Sequence, residues 1–214
     1  MVFLHNQEGR VKGYKGRIPV GVAIILSPDA VEAWREAGSK SPITTPHDSP
    51  FVGRFIGVKL SLPQIDLYER KVQGKLTSFF VSVYHTLDET EHTELIDNLR
   101  FIMSLVPMTE EFIGGHAVND NIGICTKMYR KTLCPWGTDN HNMKGRRLLR
   151  FFRHNRLKAT NIFFKKPFFV MWRSFSKARS PHMLDIISIS ETFFKYVRNC
   201  GVLPKVMRSD HSVV

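Results

Sequence analysis

A mixed α/β domain of two sheets, packed face to face and covered by helices, is the architecture this sequence predicts. Three observations predict it. The 214 residues are 43% hydrophobic and 23% charged, enough to bury one substantial core and too apolar for a disordered chain. Apolar runs of strand length interrupt amphipathic stretches of helical length in the order β-α-β-β-α-β-α-β-β-β-α-β. Several strands follow one another directly, as hairpins do, which argues against the repeated crossovers of a Rossmann-type parallel sheet.

Residues 1–18 are polar, basic and glycine-containing; they read as a loop or disordered segment before a domain at 19–214. Residues 19–27 are too continuously apolar for a half-exposed strand and read as a buried one. Ser27-Pro28 opens a short helix, with Ser27 as N-cap, Pro28 in the first turn and Gly38 as its stop. A Ser/Thr/Pro loop covers 39–50. Residues 51–62 and 76–84 are strand-like, and the charged segment between them suggests a long hairpin. Asp88 and Glu91 have the spacing of a capping box at the start of the clearest helix, which ends before Pro107. Its Leu95, Leu99, Ile102, Met103 and Val106 fall on one face. Residues 111–115 read as a short strand delivering a Gly-Gly-His-Ala-Val-Asn turn, and 124–142 as an irregular loop. A second amphipathic helix spans 144–157, with Leu148, Leu149, Phe152 and Leu157 inward and Arg146, Arg147, Arg150 and Arg153 outward. Strands are expected near 159–165, 168–173 and 183–189. Ser190 then caps a short helix to Asn199, which Gly201 ends.

Lys and Arg number 31 against 19 Asp and Glu, a net charge of +12. Such a field favours polyanions, nucleic acid foremost. The charge is uneven: residues 88–111 are acidic with Arg100 as their one Lys or Arg, whereas 144–208 carry only Asp185 and Glu191 as acids. A basic solvated face on an ordinary protein is the bland reading of the same pattern. Nothing approaches the roughly 18 apolar residues of a membrane span, and the N-terminus has no signal-peptide pattern. Cys125, Cys134 and Cys200 are odd in number and lack a Cys-x-x-Cys pair. They read as free thiols in an intracellular, reducing compartment, the nucleus included.

Chemistry-bearing residues gather at predicted strand ends. Asn119 could hydrogen-bond a phosphate oxygen and His116 could reach a phosphate or metal, although the same segment suits an ordinary strand-to-loop turn. Asp185 stands amid apolar residues on a predicted strand, where a carboxylate is costly unless paired or hydrogen-bonded. Asp210-His211 places an imidazole beside a carboxylate, a pairing suited to phosphate binding or proton transfer. Tyr84 ends a strand, where its phenol could donate to a phosphate oxygen or simply pack. Cys134 and His141 are too irregularly spaced for zinc, and Walker A, Gly-x-Ser-x-Gly and His-Glu-x-x-His patterns are missing from the sequence.

Taken in order, these pieces resemble the endonuclease/exonuclease/phosphatase superfamily. Within it, the sequence is most similar to the endonuclease-like domains associated with reverse transcriptases of mobile elements. The likeness rests on Gly21 through Pro28, Val81-Ser82-Val83-Tyr84-His85, Phe112 through Asn119, Asn142 through Leu149, the stretch from Thr160 to Trp172, His182 through Asp185, and Arg208-Ser209-Asp210-His211. The resemblance implies a DNase I-like two-sheet sandwich flanked by helices, and Mg²⁺-dependent hydrolysis of phosphodiester bonds in DNA. It implies that Tyr84, Asn119 and His211 contact phosphate and that Asp185 orients His211. Asp210 would support the metal or the histidine. Where the family has the Asp that positions or deprotonates the attacking water, this sequence has Ala117. The family's metal-binding Glu lies on an earlier strand, and Glu8, in a polar loop, does not replace it. On this reading the domain is incomplete at its N-terminus and clipped at its C-terminus. The expectation is a weak or inactive nuclease; the alternatives are a non-catalytic basic nucleic-acid-binding protein and a phosphatase of the same fold.

Overall fold

The computed structural model describes residues 1–5, 21–46, 52–65, 71–86, 88–107, 109–118, 122–123, 128–133, 142–165 and 185–200. The chain divides into two units, one of residues 1–84 with 105–113 and the other of 85–104 with 114–214.

In the first unit, β1 (Val2–His5) pairs antiparallel with β2 (Val22–Ile25), Val2 opposite Ile25 and Leu4 opposite Ala23. This departs from the sequence reading twice. Residues 2–5 are strand rather than loop, because they supply the partner that β2 requires. And β2 is only half buried: Val22 faces the core while Ile25 is 76% exposed. Helix α1 (Pro28–Glu36) begins as its sequence dictates, with Ser27 Oγ accepting from the Ala30 N–H and Pro28 in the first turn. Gly38 follows at φ +93°, a left-handed conformation that ends the helix at little steric cost. The short β3 (Ile43–Thr44), β4 (Phe55–Ile65) and β5 (Lys71–Tyr84) are antiparallel neighbours, β4 and β5 forming the expected long hairpin. The β1–β2 pair and α1 pack on β4 and β5. Leu26, Ala33, Val58 and Leu60 are the centre of that contact, with the Phe3 ring edge-on to Trp34 at 5.5 Å.

In the second unit, α2 (Glu89–Ser104) packs against α3 (Met143–His154). Asp88 Oδ1 caps α2 by accepting from the N–H groups of Thr90 and Glu91. The reciprocal half of a capping box is redirected, since Glu91 accepts instead from the Thr86 hydroxyl at 2.7 Å. Leu95, Leu99 and Ile102 are buried as the periodicity predicts, joined by Ile96 and His92. Asn142 caps α3, accepting from the Gly145 N–H. That helix buries Leu148, Leu149 and Phe152 and exposes Arg146, Arg150 and Arg153.

Strand β6 (Glu111–Ala117) runs from the first unit into the second, so Gly114 through Ala117 are extended strand rather than turn. Beyond α3, β7 (Leu157–Ala159) pairs antiparallel with β8 (Asp185–Ser190), and β8 also neighbours β6. Three expectations are corrected here. Leu157 belongs to β7, not to the helix. The strand expected near 159–165 stops at Ala159 and turns into a 3₁₀ segment at Thr160–Ile162. The helix expected after Ser190 is only a 3₁₀ turn at Phe194–Tyr196; its aromatic-rich sequence packs rings instead, Phe163 against Phe194 at 4.8 Å. The strand expected at 168–173 lies outside the described residues. No helix among the described residues is long and apolar enough to cross a membrane.

Candidate functional site

The strand ends where the sequence concentrates its polar residues belong to both units. In the first, Tyr84 ends β5 half-buried. Its N–H donates to the Arg54 carbonyl at 2.8 Å and the Arg54 guanidinium lies 4.9 Å above its ring. That stacking fixes the phenol and leaves a cation beside it.

The second unit holds the remaining described candidates. Asp185 opens β8, half-buried, and its backbone is clamped by Asn161. The Asn161 side-chain amide donates to the Asp185 carbonyl at 3.1 Å and accepts from the Ile187 N–H at 3.3 Å. Thr160 Oγ1 adds a bond to the Ile187 carbonyl at 2.8 Å. Asn161 is thus a positioning residue that the sequence reading missed. A single amide in the mostly apolar stretch 157–164, which also holds Lys158 and Thr160, was the signal, and it is buried. The β6 end is held similarly: the Ala117 carbonyl accepts from the His85 N–H at 2.9 Å, and the side chain there is a methyl.

His116 does something other than reach a ligand. It is 3% exposed. Its Nδ1 lies 3.2 Å from His85 Nε2 and its Nε2 lies 2.7 Å from Ser188 Oγ. The His85 ring in turn stacks tilted on His92 at 5.4 Å, and Phe152 meets His116 edge-on at 5.2 Å. Burial drives the His116 pKa down to about 3, so both of its nitrogens bond as neutral imidazole. One of its two nitrogens donates and the other accepts, and the Ser188 hydroxyl can complement either arrangement. His92 falls to about 4, through burial and then the Lys144 and Arg147 charges on α3. These rings form a buried polar seam joining β6, α2 and β8. His116 therefore cannot meet a phosphate or a solvent-borne metal from this position. The signal for His92 was legible: it shares the helical face of Leu95, Ile96 and Leu99.

Asn119, Asp210 and His211 lie outside the described residues. Mg²⁺ takes oxygen ligands, chiefly carboxylates and water. Among the described residues no group of three His, Cys, Asp or Glu is disposed to hold a metal ion, and the clustered histidines are buried nitrogen donors.

No model of a known protein family matches the sequence, and no curated protein does. Solved structures do match. The endonuclease domain of TRAS1, a telomere-specific non-LTR retrotransposon, superposes with a TM-score of 0.57 at 15% identity, covering 99% of this chain and 77% of that one. A 3′-5′ exonuclease from Neisseria meningitidis matches with a TM-score of 0.51 at 15% identity, over 80% of this chain and 66% of that one. An AP endonuclease from Archaeoglobus fulgidus matches with a TM-score of 0.52 at 12% identity, over 81% of this chain and 68% of that one. Strands that pair as hairpins, helices that cover them and this shared backbone course lead to one conclusion: the chain has the DNase I-like fold.

Proposed function

We propose that this chain binds DNA and hydrolyses its phosphodiester bonds weakly or not at all, as a degenerate relative of Mg²⁺-dependent nucleases. The observation that carries the reading is Ala117, which ends β6 in a methyl group where the family resemblance implies an Asp. A methyl can neither position nor deprotonate water, and losing one such group costs on the order of 10²–10⁴ in rate. In this reading His211 and Asn119 contact the scissile phosphate, Tyr84 donates to it, Asp185 orients His211 and Asp210 supports the metal or the histidine. The +12 charge and the exposed arginines of α3 favour a polyanion over a small phosphomonoester. The likeness to a retrotransposon endonuclease domain supports a nucleic acid as that polyanion.

Nicking of supercoiled plasmid with and without Mg²⁺ tests it, comparing the parent with His211→Ala and Ala117→Asp. The parent is expected to nick at background, and nicking gained by Ala117→Asp would locate the defect at that residue. Robust parental nicking, abolished by His211→Ala, would show that the site survives and the proposal is wrong. Silence from all three, with DNA binding intact, selects the non-catalytic binding protein.

A further inference from the structure

At the other end of β8 from Asp185 the second unit has a cavity of about 420 Å³. Asp185 opens β8 and Glu191 follows its end, about 20 Å along an extended strand, so this is a separate place from Asp185. Its walls are Met128, Arg130, Lys131, Thr132, Arg153, Arg156, Leu157 and Glu191: four cations against one carboxylate. That carboxylate already faces a cation outside the lining, Lys158 Nζ at 3.5 Å. None of the four lining cations makes an ion pair among the described residues.

A solvated basic face would show scattered side chains on mobile supports. Here three separated segments are bonded to each other. Ala159 N–H donates to the Thr132 carbonyl at 3.0 Å, Lys158 Nζ to the Lys131 carbonyl at 2.8 Å, and Glu191 N–H to the Arg156 carbonyl at 2.8 Å. Arg153 has a local reason to be cationic, since it sits in the last turn of α3 where the helix dipole is negative. Arg156, just past the C-cap, shares that reason, but Arg130 and Lys131 have none, and they outweigh that half charge. Arg156 also stands at φ +52°, a left-handed conformation in which glycine would be less strained.

We propose that this cavity is a phosphate-binding site that grips the backbone of a nucleic-acid strand, away from Asp185. The volume falls in the range of about 300–1,000 Å³ typical of ligand sites, and guanidinium groups suit phosphate by forked hydrogen bonding. The proposal rests on nucleic acid as the partner, and the test separates the two.

The experiment titrates the full chain with a fluorescent single-stranded DNA 20-mer at several salt concentrations, and separately with inorganic pyrophosphate by calorimetry. Three proteins are compared: the parent, Arg130→Gln/Arg156→Gly, and a control of equal charge change in the first unit, Lys40→Gln/Lys75→Gln. Arg156→Gly relieves the left-handed strain, so the first variant is expected to keep its Tm, and a binding loss is then not a folding loss. The expected result is a drop in DNA affinity of about 10-fold or more in the cavity variant, with a salt slope shallower by about 2. The control should change neither by more than about twofold. An equal loss in both variants would reveal diffuse charge and overturn the site, as would an unchanged cavity variant. If the parent fails to bind DNA, the nucleic-acid source is overturned. Pyrophosphate binding lost in the cavity variant would then uphold a site for free phosphate groups, and no pyrophosphate binding would overturn the cavity altogether.

Discussion

His116 shows how one side chain's role is set by what surrounds it. Its folded pKa of about 3 lies below the usual 6.5, so the unfolded chain binds this proton more readily than the folded one. The stability it contributes is fully present above pH 6.5 and is lost as pH falls from there towards 3. The slope is about 1.4 kcal/mol per pH unit. His92, depressed to about 4, acts in the same direction. Urea midpoints measured at pH 7.5, 6 and 5 should therefore fall more steeply for the parent than for His116→Gln. Parallel profiles would show that the imidazole is not held neutral by burial. Little of this was legible beforehand. The Gly-Gly-His-Ala-Val-Asn segment looked like a turn presenting polar groups, because glycines punctuate loops more often than strands. His116 is engaged by His85, 31 residues before it, and by Ser188, 72 residues further along. Asn161 was missed for the same reason: its bonds to Asp185 and Ile187 span 24 and 26 residues.

Helices α1, α2 and α3 were readable because their determinants are local. Ser27, Asp88 and Asn142 bond within three residues of themselves, and apolar spacing marks the inward face. Strands were harder, since a strand is completed by a partner. Residues 2–5 form one only because β2 offers its edge, and 159–165 stops early where the Thr160 and Asn161 side chains bond to β8 instead. The β4–β5 hairpin carries a sharper constraint at Gly57. A Cβ there would overlap the Phe79 ring, with the Phe55 ring 3.2 Å away, and both rings are fully buried. Gly57→Ala is expected to cost about 1–3 kcal/mol by overpacking, read as a lower urea midpoint. An unchanged midpoint would mean that Phe79 can withdraw freely.

The charge of the entire chain makes its own prediction. With +12 net and the basic residues concentrated beyond 144, DNA affinity should fall linearly with the logarithm of salt concentration. Because lysine and arginine contacts to phosphate need no metal, that binding should persist in EDTA. A loss of DNA binding on chelation would show that a metal bridges protein and DNA. Charge, like fold class, is a sum over the sequence and needs no coordinates. Helix caps, helix faces, the long hairpin and the methyl at Ala117 are likewise written in neighbouring letters. The histidine seam, the clamp on Asp185 and the cation-lined cavity are not. Each joins residues tens of positions apart, and the free energy of burying or gathering them depends on neighbours that only the folded chain supplies.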